Sequence, residues 1–310
     1  MTLTQETGAE TGYRHPAYAT SLSEFGRPRS LIQSGGWVLE RDIPGTDARD
    51  AMGCYPIFSC RDWSLLDQDL NDLDDELVSL VLVADPFGSY TREILSRTFR
   101  DLVVPFKEHF IADLQHPTNS FVSKHHHYYA RKALATVKVE VCPDPVRMLD
   151  EWSKLYDNLV TRHQLSGIKA FSRAAFAKQL NVPGMIMLRA LHEGETVGAH
   201  LWYVQGDVAF SHLAAANASG YKLMSAYALC WSAIDHFAGK VRWIDWGAGA
   251  GLNATGPEGL TRYKKGWANA IRPVYLCGRI FNNARYAELS RANGLAGDNY
   301  FPRYREGELG

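Results

Sequence analysis

Apolar positions along the chain are irregular up to residue 142 and regular beyond it. Val146–Gln164 carries Met148, Leu149, Trp152, Leu155, Tyr156 and Leu159 on one stripe at spacings of three and four, which predicts an amphipathic helix. Ser172–Leu180 predicts a second helix, with Ser172 placed to cap it. Met185–His192, Glu195–Val204 and Val208–Ala214 are strand-like runs. The turns His192-Glu193-Gly194-Glu195 and Gln205-Gly206-Asp207 separate them, so they predict an antiparallel meander. A helix over Lys222–Ala238 follows, with Leu223, Tyr227, Cys230, Ile234 and Phe237 inward. Then come a strand at Val241–Trp246, a glycine-rich loop and the strand-like Leu260–Trp267.

Upstream the signals are shorter. Residues 1–30 are rich in Thr, Ser, Gly and Glu and read as a loose arm. Trp37–Leu39 and Ile57–Phe58 look like short strands, and Asp62–Leu77 places five leucines at helical spacing. Its many acids read as a solvated helix face. Val78–Ala84 is a continuous apolar run, hence a buried strand, and it ends at the turn Asp85-Pro86-Phe87-Gly88. Arg92–Leu102 predicts a helix and Phe106–Leu114 a strand. Lys124–Lys132 reads as a basic helix leading into a strand at Val137–Cys142. Its adjacent His125, His126 and His127 point 100° apart on a helix and cannot share one metal, so no metal site is expected. Cys142-Pro143-Asp144-Pro145 is the sharpest break, because two prolines in three residues stop any regular element. These signals divide the chain into an arm (1–30), an N-terminal α/β domain (31–142) and a C-terminal domain (143–310).

Composition narrows the function classes. The 310 residues carry 33 Lys and Arg against 34 Asp and Glu, a net charge of -1, which removes any global drive toward DNA or an anionic membrane. The five cysteines are scattered with no C-x-x-C pair, which argues against a disulfide framework or a zinc site. Met1–Pro16 lacks an apolar leader core, and no apolar run approaches the length of a membrane span. A cytoplasmic protein is the expectation.

Two features compete for the chemistry. Asp245-Trp246-Gly247-Ala248-Gly249-Ala250-Gly251 closes a strand in the manner of a methyltransferase cofactor loop. That motif needs a helix directly after the glycines, and Leu252–Pro257 is a poor helix. The second feature is the order of elements: two helices, three antiparallel strands, a turn with Ser219-Gly220 opening a helix, and a further strand. A helix N-terminus at such a turn offers free N–H groups to an anion.

On residues, His212–Ala215, Gly220-Tyr221, Ala226–Ile234, Asp245–Gly249 and Tyr263-Lys264-Lys265-Gly266-Trp267 occur in an order that resembles FemAB-like acetyltransferase domains of the GNAT superfamily, over about Val146–Trp267. The resemblance implies an α+β fold with a mixed, mostly antiparallel sheet flanked by helices, and two GNAT-like domains in tandem. It implies transfer of an acyl group to an amine or hydroxyl of a small-molecule or glycan-type acceptor, such as a sugar or cell-wall precursor. No permanently bound cofactor is expected. The co-substrate would be acyl-CoA or, in the Fem-type alternative, an aminoacyl-tRNA. The usual coenzyme A loop Q/R-x-x-G-x-G/A is replaced by Ala216–Tyr221, with one glycine and no leading Arg or Gln. That departure keeps open both the tRNA alternative and a non-catalytic binding module on the same fold.

Within this frame Lys264 is the expected carbonyl or phosphate stabiliser, Asp245 a proton acceptor or amine ligand, and His212 a candidate base. Ser219, Gly220, Tyr221 and Lys222 would line the donor turn. His200, Arg262, Lys265 and Trp267 would contact substrate. Six bases (Arg262, Lys264, Lys265, Arg272, Arg279, Arg285) against Glu258 and Glu288 make this end basic, fit for phosphates or simply a solvated rim.

Overall fold

Eleven strands form one continuous sheet, in the order β1-β2-β3-β4-β11-β5-β10-β9-β8-β7-β6. This computed structural model describes residues 10–73, 76–249, 258–292, 300–306 and 308. The first half supplies α1 (Pro16–Ser21), β1 (Arg27–Leu31), β2 (Gly36–Asp42), β3 (Arg49–Gly53), α2 (Leu66–Asn71), β4 (Ser79–Val83), α3 (Arg92–Thr98) and β5 (Leu102–Asp113). The remainder supplies α4 (Thr118–Phe121), α5 (Lys124–Leu134), β6 (Lys138–Val141), α6 (Leu149–His163), α7 (Arg173–Gln179), β7 (Met185–His192), β8 (Glu195–Gln205) and β9 (Val208–Ala216). After them come α8 (Ala218–Lys222), α9 (Ser225–Phe237), β10 (Trp243–Asp245), α10 (Glu258–Lys265), β11 (Ala270–Ile280) and α11 (Asn283–Ala292).

The two halves repeat one motif. In each, antiparallel strands end in a strand that pairs in parallel with the next, β3 with β4 and β9 with β10, across a helical crossover. In each, a further helix then leads to a long strand, β5 or β11. These long strands are exchanged. β5 pairs antiparallel with β10 of the other half, β11 pairs antiparallel with β4, and the two pair with each other from Ala270↔Ile111 to Gly278↔Leu102. The exchange makes one sheet of two halves and brings residues 130 or more positions apart into adjacent strands.

Helices cover both faces, as a mixed sheet buried on both sides requires. α1, α6 and α7 close a core of Tyr18, Trp152, Tyr156, Phe176 and Tyr203 on one face of the second half. α5 and α9 close another, of Trp202, Phe237, Trp246 and Trp267, on the opposite face. β10 alternates between them: Trp243 packs toward the first, Ile244 and Trp246 belong to the second. Asp245 therefore shares the face of Trp243.

Several expectations are corrected. Residues 12–31 are not an arm. Tyr18, Ala19 and Leu22 are fully buried, because Tyr18 and Leu22 stand four apart on the inward side of α1 and, with Tyr13, seal the core; residues 1–9 lie outside the described residues. The segment expected as a strand over Leu260–Trp267 is instead helix α10 up to Lys265, followed by a turn at Gly266 and Trp267. Tyr263 and Trp267 stand four apart and both turn inward against His126, a helical rather than an alternating pattern. The Lys222–Ala238 helix is broken at Met224, whose φ of 57° starts α9 anew. The helix expected over Asp62–Leu77 spans only Leu66–Asn71, and Phe58 makes a single bridge to Ala84.

Candidate active site at the parted strands

β9 pairs in parallel with β10 only as far as Phe210↔Asp245. β9 runs on to Ala216, whereas β10 stops at Asp245, so the strands part there. The end of β10 is where the polar groups gather. Gly247, with φ 73°, turns the chain back so that its N–H donates to Asp245 Oδ1 at 2.7 Å. Asp245 is 2% exposed, and His109 Nδ1 lies 2.8 Å from Oδ2 and 3.0 Å from Oδ1. His109 comes from β5, delivered by the strand exchange.

Lys264 enters from α10. Its ammonium donates to the Ala248 carbonyl at 2.7 Å, and a Cβ on Gly247 would stand only 3.1 Å from Nζ. The glycine at 247 thus serves two needs, a left-handed turn and room for the lysine. Burial pushes the Lys264 ammonium down to about 8, against the pull of Asp245. Lys107, two residues before His109, reaches the Gly249 carbonyl at 3.5 Å, and burial, then the charge of Lys169, lower its pKa. Ala250 and Gly251 of the glycine loop lie outside the described residues.

The other expected site residues divide. His200, on β8, is buried beside Trp202, with Nε2 2.8 Å from Ser211 Oγ. Burial, then the Lys264 charge, push its imidazole down to about 3, so the ring belongs to the surroundings of Lys264 in neutral form. His212 is not in the group. Its Nε2 lies 3.2 Å from Gln179 Oε1, its Nδ1 3.1 Å from Tyr13 Oη, and rings of Tyr18, Tyr203 and Phe171 surround it. Burial pushes it to about 3, and both nitrogens are engaged inside the core. Trp267 is fully buried against His126 and Trp246 and is core. Arg262 and Lys265 are exposed on α10.

At the expected donor turn, Gly220 faces inward: a Cβ there would stand 2.1 Å from the Val197 carbonyl oxygen. Its N–H is already taken by Asn217 Oδ1 at 2.9 Å. Ser219, Tyr221 and Lys222 face outward, and the Arg162 guanidinium lies 4.3 Å from the Tyr221 ring centre. The Gly220 amide is therefore not open to an anion at this turn, while Lys222 and Arg162 are exposed cations.

His109 and Lys107 escaped the sequence reading. Their β5 strand shows no motif, and only the pairing of β5 with β10 gives them a role. Arg162 was likewise hidden, as one more charge on a solvated helix face. Among the described residues no group of three or more His, Cys, Asp or Glu could hold a metal ion. None of the described helices is long and apolar enough to cross a membrane.

Residues 123–265 match the family model for the acetyltransferase (GNAT) domain. The chain carries a GNAT-type acetyltransferase domain. It is an acyltransferase on that evidence, and the parted strands β9 and β10 lie within the matched segment. FemX has a similar fold over 88% of this chain and 93% of its own, with a TM-score of 0.64 at 11% identity. The C-terminal domain of a lysylphosphatidylglycerol synthetase from Agrobacterium fabrum is similar over 92% and 96%, with a TM-score of 0.58 at 14% identity. L-PGS from Bacillus licheniformis is similar over 92% and 97%, with a TM-score of 0.57 at 14% identity. No curated protein matches the sequence. The expected α+β fold, a mostly antiparallel sheet flanked by helices, is the one found, in two halves of like topology.

The buried histidines of this domain set a stability prediction. His200 and His212 titrate near 3 when folded and near ~6.5 when unfolded. Below about pH 6.5 the unfolded chain binds protons that the native protein refuses, so stability falls with pH. The loss is at most about 2.7 kcal/mol per pH unit for two such groups. Urea midpoints at pH 7, 6 and 5 should fall progressively, ahead of any carboxylate titration. Equal midpoints at pH 7 and 5 would refute the assignment.

Proposed function

We propose that the protein transfers an acyl group from acyl-CoA to an amine or hydroxyl of a small-molecule or glycan-type acceptor in the cytoplasm. The observation that carries this reading is the Lys264 ammonium, held on the loop that follows β10, just past the point where β9 and β10 part. A carbonyl oxygen bound beside it would gain charge on attack, which the ammonium would stabilise. Lys264 polarises that carbonyl, and His200 beside it stays neutral. Asp245 lies on the opposite sheet face from Ile244 and Trp246. Donor and acceptor thus approach from different faces, with Lys222 and Arg162 receiving donor phosphates and Arg262 and Lys265 lining the rim. Little more than positioning and charge stabilisation is needed.

A second reading, aminoacyl transfer from a charged tRNA, is favoured by the engaged Gly220 amide and by the likeness to FemX across both halves. Lysylphosphatidylglycerol synthetase names an aminoacyl product of the same fold. Native mass spectrometry of protein purified from its producing cells, followed by transfer of labelled acyl or aminoacyl groups to an extract of small metabolites, separates the readings. Bound acyl-CoA and RNase-resistant transfer are the expected result. Transfer abolished by RNase would replace the donor with tRNA. Failure to bind or use either would make the chain a non-catalytic binding module.

A further inference from the structure

We infer that His109 is the catalytic base of this transferase, with Asp245 as its positioning residue; the inference rests on the transfer reading above. Asp245 was the sequence candidate for proton acceptor, but its carboxylate is committed. Oδ1 receives the Gly247 N–H, and both oxygens face His109 Nδ1 at 2.8 and 3.0 Å. A carboxylate only accepts, as the Gly247 N–H directed at Oδ1 requires, so the hydrogen in this contact is on Nδ1. That fixes the tautomer and leaves Nε2 with a lone pair. Nε2 has no hydrogen-bond partner among the described residues, and the side chain keeps 12% of its surface open. The buried histidines nearby are turned to internal partners instead. His126 is held by Ser123 and the Tyr263 carbonyl, and His212 by Tyr13 and Gln179.

Placement supports the role. β10 puts Asp245 on the Trp243 face, and His109 meets it there, while Lys264 reaches the loop after β10 from α10. A base and a carbonyl stabiliser thus flank the end of one strand, as acyl transfer requires. The neutral amine's lone pair forms the new C–N bond, and Nε2 takes one proton from that nitrogen. The tetrahedral oxyanion beside Lys264 then collapses. The electron pair of the C–S or C–O bond leaves with the donor's sulfur or oxygen, which is protonated from water, and His109 returns its proton to water. Each half of the chain then supplies part of the centre, His109 from the first and Asp245 and Lys264 from the second.

The first test needs no substrate. In protein labelled with nitrogen-15 histidine, long-range proton–nitrogen spectra at pH 8 should show His109 with the hydrogen on Nδ1, and Asp245→Asn should abolish that preference. Diethylpyrocarbonate should modify His109 ahead of His126, His200 and His212. A hydrogen on Nε2, or a ring inert to the reagent, would overturn the proposal whatever the donor. With the donor and acceptor found by the transfer assay, His109→Gln should lower kcat about 100-fold or more with KM little changed. Imidazole should restore part of the rate to His109→Ala. Unchanged turnover in His109→Gln, or loss that imidazole does not relieve in a folded His109→Ala, would reject His109 as the base. A protein that transfers nothing but shows the Nδ1 tautomer and the selective modification would refute the transfer reading and leave the His109–Asp245 pairing standing.

Discussion

Lys264→Ala is expected to lower acyl transfer about 100- to 1000-fold, the usual cost of removing a donor to a developing oxyanion, while the protein unfolds at an unchanged or higher temperature. The two halves of that expectation have one cause. The ammonium sits largely out of water, where burial has pushed it down to about 8, so the native state bears a desolvation cost that alanine removes. Against that gain, alanine forgoes the hydrogen bond from Nζ to the Ala248 carbonyl. The charge also sets a pH limit. A stabiliser must be protonated, so kcat should fall as pH rises through about 8, and this limb should vanish in the variant. A folded Lys264→Ala enzyme with wild-type kcat would remove the residue from the mechanism.

Asp50→Ala should cost about 3–5 kcal/mol, the penalty of leaving buried charge without its partner. Asp50, on β3, is fully buried and faces two guanidiniums. Arg305 Nε and Nη2 reach it at 2.8 and 2.9 Å, and Arg41 Nε and Nη2 at 3.2 Å each. Tyr304 Oη donates at 3.2 Å. The triad fastens residues 303–306 onto the first half of the sheet, next to β4, against which β11 is exchanged. At about 2–4 °C per kcal/mol for a large domain, the midpoint should drop by roughly 6–20 °C. Asp50→Asn, which keeps two hydrogen-bonding atoms, should lose less. A thermal scan showing Asp50→Ala within about 2 °C of the parent would show that the two arginines find other partners.

The second half of the fold was largely legible. The meander β7–β9 follows from strand runs broken by Glu193-Gly194 and Gln205-Gly206, and Ser172 caps α7 by accepting from the Ala175 N–H. Lys264 and Asp245 were picked from a strand ending in glycines and an aromatic–lysine block, and the structure does bring them to one place. The structure turns His212 and Trp267 inward, and the sequence could not tell this for a single reason. A polar or amphipathic side chain on a strand or helix gives no sign of whether it faces a groove or a core, and both turned inward onto aromatic rings. The α10 segment misled because Tyr263-Lys264-Lys265-Gly266-Trp267 is too short to separate a period of two from one of 3.6.

Local pattern by itself determined what each stretch becomes and which turn residues link neighbours, because periodicity, caps and glycine turns act over a few residues. It also singled out Asp245, at a strand end before a glycine loop, whereas Lys264 came from the family resemblance of its block. The tertiary structure alone decided that β5 and β11 change places, that residues 12–31 seal a core, and that His109 meets Asp245. Those outcomes depend on contacts between residues 136 or more positions apart in the case of His109. Such pairing is set by which sheet edges and apolar faces remain to be covered once the local elements exist, and no window of the sequence contains that information.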